Sequence, residues 1–218
     1  MLFRSAWDIG VADHCAIIFF QIKKNGDFHI IDYIEDHSQG FEYYANKLQE
    51  KAQKYRYNYG THLGPHDLKN RELSTGVSRL ETAKQLGIKF DIVPKISVAD
   101  GIDAVRGILG KCYFDYADLD DPDNTERYEG KANQLVNALR QYSKEFDDEK
   151  KIFKDKPKHD WTSHPADAMR MLAVGQRLVK NSIFDALHGQ KSAITDYNVY
   201  AATERGLTAG TAYEMFSM

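Results

Sequence analysis

Several residue patterns are scarce in this sequence, and each shortage excludes a class of protein. Among its 218 residues only Cys15 and Cys112 are cysteines, and their spacing fits no zinc site. Both lie in apolar segments, so we expect buried free thiols. No apolar run is long enough to cross a bilayer, and the first residues lack the pattern of a signal peptide. Because a Gly-Lys-Ser/Thr phosphate loop is missing, we do not expect the chain itself to hydrolyse ATP.

An excess of positive charge is also lacking. The formal net charge is −3, whereas a dedicated DNA-binding module is usually basic. A metal-dependent nuclease needs less net positive charge, because cations neutralise the carboxylates of its site and basic patches elsewhere bind phosphates. The length and the hydrophobic fraction of 42% fit one globular domain, or one domain with a short appendage.

Strand-like and helix-like segments alternate along most of the chain. Five segments predict strands: 2–9, 14–22, 28–34, 57–62 and 90–93. Five have helical periodicity: 41–55, 77–83, 98–109, 132–146 and 165–179. A turn signal at 24–27 joins two strands, so the chain opens with an antiparallel three-stranded meander, and the later strands are expected to add in parallel after helices. This order predicts an α/β fold, a ribonuclease-H-like mixed sheet with helices on both faces.

Three segments have less regular patterns. The acidic stretch 115–124 favours a solvated loop over a calcium loop, because it lacks the glycine and the terminal glutamate of an EF-hand. The lysine-rich stretch 147–158 is either a solvated hairpin or loop, or a segment that grips phosphates. We expect a domain over residues 1–180, followed by a loosely packed or partner-binding tail over 181–218. Because the chain starts almost directly on a core strand, we expect it to be a domain excised from a longer protein.

Asp8 lies near the end of the first predicted strand, a position at which α/β sheets build their sites. Strand alternation places its side chain on the same face as Ala6 and on the face opposite Trp7. Gly10, just beyond, lets a ligand or another backbone approach closely. The alternative explanation is an aspartate that only opens a turn.

Asp167 belongs to the last predicted helix. Pro165 suits the first helical position, so Asp167 would lie in the first turn, where the helix dipole favours an ionised side chain. Its predicted helical face is the apolar stripe, where a carboxylate costs free energy unless it is paired. The members of that stripe are Met171, Val174 and Leu178. The alternative is an aspartate that merely stabilises the helix N-terminus.

Asp67 comes just after a short predicted strand, where it either serves a site or caps the next helix. Three carboxylates from different elements suit two hard divalent cations ~4 Å apart, because such ions prefer oxygen ligands. Asp13 and Asp160 are candidate extra ligands. His66 and His164 either orient water or contact phosphate, or are structural.

Three segments together resemble a known family. Residues 6–13 (AWDIGVAD), followed by an apolar run, resemble the first acidic motif of the large terminase subunits of tailed bacteriophages. Residues 64–67 (GPHD) resemble the second motif of that family, and residues 163–170 (SHPADAMR) resemble the third, a His-x-x-Asp-Ala-x-Arg pattern. The resemblance covers roughly residues 4–180.

The resemblance implies a ribonuclease-H-like C-terminal nuclease domain that cuts concatemeric viral double-stranded DNA during genome packaging. Asp8, Asp67 and Asp167 would hold two Mg²⁺ or Mn²⁺ ions, with Asp13 as an auxiliary acid. The family's N-terminal ATPase domain, absent from this sequence, would be a partner, as would the portal protein and the small terminase subunit. The setting would be the cytoplasm of the infected bacterial host, without a membrane partner.

Under this interpretation the reaction is in-line attack of an activated water on the scissile phosphate. Five basic residues are candidate contacts to the DNA backbone: Lys69, Arg71, Lys154, Lys156 and Lys158. One alternative is another nuclease of the same fold, such as a junction resolvase or ribonuclease H. The other is a non-catalytic module that docks the packaging motor on a portal or on DNA.

Overall fold

The computed structural model describes residues 2–10, 14–72, 76–116 and 131–188, with side chains in the last range up to residue 178. The chain divides into two compact units, Met1–Gln176 and Arg177–Met218, and the sheet and the site belong to the first. Asp13, most of the acidic stretch 115–124 and residues 189–218 of the predicted tail lie outside the described residues. None of the helices in the described ranges has the length and apolarity that a membrane crossing requires.

Eight strands and five α-helices make up the described part of the chain. The strands are β1 (Phe3–Ile9), β2 (His14–Ile22), β3 (Phe28–His37), β4 (Tyr59–Gly64), β5 (Phe90–Ile92), β6 (Cys112–Phe114), β7 (Lys144–Asp147) and β8 (Ile152–Pro157). The α-helices are α1 (Phe41–Tyr55), α2 (Arg79–Gln85), α3 (Val98–Leu109), α4 (Asn133–Gln141) and α5 (Ser163–His188). A short 3-10 helix, His66–Lys69, follows β4.

The main sheet has the order β5-β4-β1-β2-β3-β6. Strands β1, β2 and β3 form the predicted antiparallel meander, and β4 and β5 add in parallel beyond β1. This arrangement is a ribonuclease-H-like core, as the sequence predicts. Strand β6 extends the other edge by pairing in parallel with β3. Gly26 has a φ of +89° in the β2–β3 turn, where a residue without Cβ adopts the left-handed region at little cost.

Helices cover both faces of this sheet. On one face Trp7, Ile17 and Phe19 are fully buried and pack in one cluster with Tyr44 of α1 and Ala83 of α2. Burial of each large apolar side chain contributes about 1.5–3 kcal/mol. Because side chains alternate along a strand, the neighbours of these residues face the other side, which α5 covers.

Some predicted elements differ from those in the structure. Helix α4 ends at Gln141 instead of continuing to Phe146, because Phe146 lies in β7 and its ring packs edge-to-face on Phe153 of β8 at 5.1 Å. The lysine-rich stretch is therefore a hairpin. Helix α5 continues past the predicted end at Val179, and the predicted domain boundary at residue 180 falls within it.

Candidate active site at the carboxyl end of the central strand

Asp8 is the penultimate residue of β1, which has a neighbour on each side in the sheet. The side chains of Ala6 and Asp8 lie on the face opposite Trp7, as strand alternation predicts. Ala6 is fully buried, whereas 23% of the Asp8 side chain is exposed. The carboxylate therefore lies at the carboxyl end of this central strand, where the buried core meets solvent.

Two local features position helix α5 relative to the sheet. Oδ1 of Asp160 accepts hydrogen bonds from the backbone N–H of Thr162 (2.9 Å) and from its hydroxyl (2.7 Å), which sets the turn before the helix. Further along, the Cα of Gly175 approaches the sheet so closely that a Cβ there would lie 2.8 Å from Leu63 and 2.9 Å from Val93. Glycine thus lets the helix pack directly on β4 and the residue after β5.

His164 brings α5 into contact with β1. Its Nδ1 lies 3.1 Å from Oδ2 of Asp8, and both side chains are largely buried. A hydrogen bond of this length fixes the relative position of the ring and the carboxylate. The first and third sequence motifs therefore meet in space, as predicted.

Asp167 lies one helical turn beyond His164. Burial raises the pKa of Asp167 to about 6, although Arg170 opposes this with an ion pair whose Nη2–Oδ1 distance is 2.8 Å. The charge of Asp8 raises the pKa of Asp167 further, which means that the two carboxylates repel each other. Two acids from different parts of the chain thus share one electrostatic environment.

Two predictions about Asp167 were wrong in detail. The helix begins at Ser163, so Asp167 is its fifth residue and lies beyond the first turn. The predicted apolar stripe is also displaced, because Met171 and Val174 are only partly buried. The buried face of α5 consists instead of Ala166, Ala168, Met169, Leu172 and Ala173. Asp167 lies at the border of this face, which lets its side chain approach Asp8.

Asp67 lies in the 3-10 helix that follows β4, and it caps no helix. Pro65 precedes that helix, and the cap of α2 is Ser78. The register of β1 and β4 pairs Ala6 with Leu63, so the chain leaves β4 beside the end of β1 that carries Asp8. Oδ1 of Asp67 is buried and has no hydrogen-bond partner. An unsatisfied buried carboxylate oxygen costs free energy, which a cation can offset.

The candidate extra ligands and DNA contacts differ in their surroundings. Oδ1 of Asp160 is held by Thr162, and its Oδ2 lies 3.2 Å from Nζ of Lys158. Lys154 and Lys156 both form ion pairs with Glu145 inside the β7–β8 hairpin. Lys69, the last residue of the 3-10 helix, and Arg71, two residues beyond it, are exposed. These five basic residues stay predictions as DNA contacts.

Sequence reasoning missed two residues beside His164. The ring of His14 stacks on that of His164, with centroids 5.4 Å apart and planes 13° apart. Nδ1 of His14 lies 3.2 Å from Oε1 of Glu35, whose side chain is 7% exposed. The signal was in the strand register: Asp8 pairs with Ala16, so His14, two residues earlier on β2, points to the same face.

No protein-family model and no curated protein matches the sequence. Among solved structures, the large terminase of a thermophilic bacteriophage, in complex with ADP, matches with a TM-score of 0.56 and 16% identity, over 81% of this chain and 40% of that protein. The nuclease domain of the P22 large terminase matches with a TM-score of 0.52 and 18% identity, over 81% of each chain. The chain thus spans 40% of the length of the terminase from the thermophilic phage. The chain has the ribonuclease-H-like fold that these large terminases share, which is the fold that its sequence motifs predict.

Proposed function

We propose that this chain is a metal-dependent endonuclease, the nuclease domain of a bacteriophage large terminase, and that it cuts double-stranded DNA. The contact between Asp8 and His164 carries the proposal. This contact joins the first and third motifs, and Asp167 lies one helical turn beyond His164. The surrounding fold is similar to that of the P22 large terminase nuclease domain.

The chemistry of the acidic residues fits divalent cations. Within the described ranges, no three His, Cys, Asp or Glu side chains are grouped closely enough to hold an ion. Yet Oδ1 of Asp67 is buried without a partner, and burial raises the pKa of Asp167 to about 6. Cations relieve both costs, and carboxylate oxygens are the ligands that Mg²⁺ and Mn²⁺ prefer.

Asp8, Asp67 and Asp167 would hold two Mg²⁺ or Mn²⁺ ions, while Asp13 and Asp160 stay candidates for auxiliary roles. Bound ions of this kind make water a better nucleophile at a phosphodiester and stabilise charge on the leaving oxygen. The all-oxygen donor set supports this assignment over zinc, which favours histidine and cysteine.

The chain's own side chains prepare this site. His164 holds the carboxylate of Asp8 in one orientation at the end of β1. Arg170 pairs with Asp167 and favours its ionised form against the effect of burial. Both acids are thereby oriented before DNA arrives, and such preorganisation supplies much of the catalysis of phosphoryl transfer.

The activity of a whole terminase goes further than this chain, which spans 40% of the thermophilic-phage protein. We propose that the longer protein carries an N-terminal ATPase domain and works with a portal protein and a small terminase subunit. Its substrate would be concatemeric viral DNA in the cytoplasm of the infected bacterial host.

The test is cleavage of supercoiled plasmid in Mn²⁺ or Mg²⁺ by wild type, Asp8→Asn and Asp167→Asn. We expect wild type to nick and linearise the plasmid, and both variants to lose this activity because the carboxylate charge is gone. Asp103→Asn is the matched control, since Asp103 is exposed on α3 and its carboxylate pairs with Arg106. Undiminished cutting by Asp8→Asn or Asp167→Asn would overturn the proposal.

A substrate panel separates the alternatives of the same fold. Preference for linear duplex over a four-way junction and an RNA–DNA hybrid supports the terminase assignment, whereas preference for either of the others indicates a resolvase or a ribonuclease H. Millimolar Mn²⁺ should also raise the unfolding temperature, because ions that bind the folded chain stabilise it. No cleavage and no thermal effect of Mn²⁺ would favour a non-catalytic docking module.

A further inference from the structure

A second layer of side chains lies behind the contact between Asp8 and His164. The strand registers pair Asp8 with Ala16 and Ala16 with Glu35, so the two carboxylates lie in one row across three strands. His14 lies on the same face of β2, two residues before Ala16. The small Ala16 side chain separates Asp8 from Glu35 in this row.

Glu35 is held firmly. Its Oε2 accepts hydrogen bonds from the hydroxyl of Tyr33 (2.9 Å) and from Nε2 of Gln134 (2.6 Å). The other oxygen, Oε1, lies 3.2 Å from Nδ1 of His14. This separation is an ion-pair distance and not a hydrogen bond, so Glu35 lies beside the His14 ring as a neighbouring charge.

His14 in turn contacts His164 through its ring. The two planes are nearly parallel, at 13°, and the centroids are 5.4 Å apart. On another side of His164 the ring of His159 packs edge-on at 5.9 Å. The hydrogen bond to Asp8 fixes Nδ1 of His164, and the stacked ring restricts rotation about the bond that joins the imidazole to Cβ.

We propose that His14 is a positioning residue whose stacked ring holds His164 against Asp8. The kinetic part of this inference rests on the proposed nuclease function. His14 is 45% exposed, so the core does not need it for packing, and its ring stacks on His164, which contacts Asp8. Outer-layer residues of this kind matter because small displacements of a reacting group lower the rate strongly.

The test compares His14→Ala, which removes the stacked ring, with His14→Phe, which keeps a ring without nitrogen. The first readout is the ring resonances of His164 in ¹⁵N-histidine NMR, which need no substrate. The second is kcat and KM for plasmid cleavage. His29→Ala is the control, because His29 packs at a tilt against Tyr113 at the opposite end of β3.

We expect His14→Ala to shift the His164 resonances and to lower kcat about tenfold at unchanged KM, and we expect His14→Phe to restore most of both. Unchanged His164 resonances in His14→Ala would overturn the inference, whatever the cleavage assay gives. Wild-type resonances of His164 in an inactive His14→Phe would also overturn it, because His14 would then act through its own nitrogen. Shifted resonances in a protein whose wild type cuts no DNA would support the positioning role and overturn the proposed function.

Discussion

Nδ1 of His164 lies 3.1 Å from Oδ2 of Asp8, although 156 residues separate them in the chain. The contact links the carboxyl end of the central strand β1 to helix α5. Because Asp167 follows one turn later on the same helix, whatever fixes His164 also fixes the distance between the two acids. The geometry of the candidate site therefore depends on how helix α5 packs on the sheet.

Removing the His164 side chain should weaken the site without unfolding the protein. In His164→Ala, Asp8 loses its partner, so we expect cleavage to fall about 10–100-fold and half-maximal activity to need more Mn²⁺. Plasmid cleavage across a Mn²⁺ titration measures both effects. Equal Mn²⁺ requirements in His164→Ala and wild type would show that His164 does not orient Asp8.

Two glycines of α3 provide a matched pair of stability variants. A Cβ at Gly101 would lie 2.8 Å from Cδ of Arg170, whose far end is fixed by its ion pair with Asp167. We expect Gly101→Ala to destabilise the protein by about 1–3 kcal/mol, because Arg170 must move. Gly107 has nothing within 4 Å of such a Cβ, so Gly107→Ala should stabilise the helix by about 0.5–1 kcal/mol.

Urea unfolding of both glycine variants gives these differences directly. Plasmid cleavage should fall only in Gly101→Ala, because only this substitution disturbs the pair between Arg170 and Asp167. Equal stabilisation by alanine at both positions would show that Arg170 does not pack against Gly101 of α3.

Asp167 should make stability depend on pH. Burial raises its pKa to about 6 in the folded chain, from an ordinary value of 3.8. Between these pH values the folded chain holds a proton that the unfolded chain has released, so the free energy of unfolding falls as the pH rises. Asp167→Asn lacks this titration. Relative to that variant, wild type should lose about 1–3 kcal/mol between pH ~4 and pH ~6, and no more above it.

The measurement is the unfolding free energy of wild type and Asp167→Asn across this pH range, with a chelator present to remove bound cations. The difference between the two proteins cancels the titration of all other groups that both share. A difference that does not change with pH would mean that Asp167 is solvated rather than buried.

Sequence patterns predicted the sheet better than they predicted the details of the site. Alternation on β1 correctly placed Asp8 opposite Trp7, because the period of a strand admits only two faces. Helical periodicity placed Asp167 on the wrong stripe, because the buried face of α5 is set by where Gly175 allows it to pack on Leu63. A local pattern does not contain that information.

Other features depend on pairing between distant segments. The capping interpretation of Asp67 was wrong, because α2 starts later, at its own cap Ser78. His14 and Glu35 meet through the registers of two strand pairs, and neither residue lies in a motif. The end of α4 before Phe146 was missed because the strand pairing of the β7–β8 hairpin overrides helical periodicity there.

The proposed metal site is tested most directly by the binding of Mn²⁺, measured by electron paramagnetic resonance, to wild type, Asp8→Asn, Asp67→Asn and Asp167→Asn. Asp103→Asn, an exposed aspartate of α3, is the control. We expect bound Mn²⁺ in wild type and in the control, and weaker binding in each of the other three variants. Binding to wild type that none of the three substitutions weakens, or no binding at millimolar Mn²⁺, would contradict the proposed metal site.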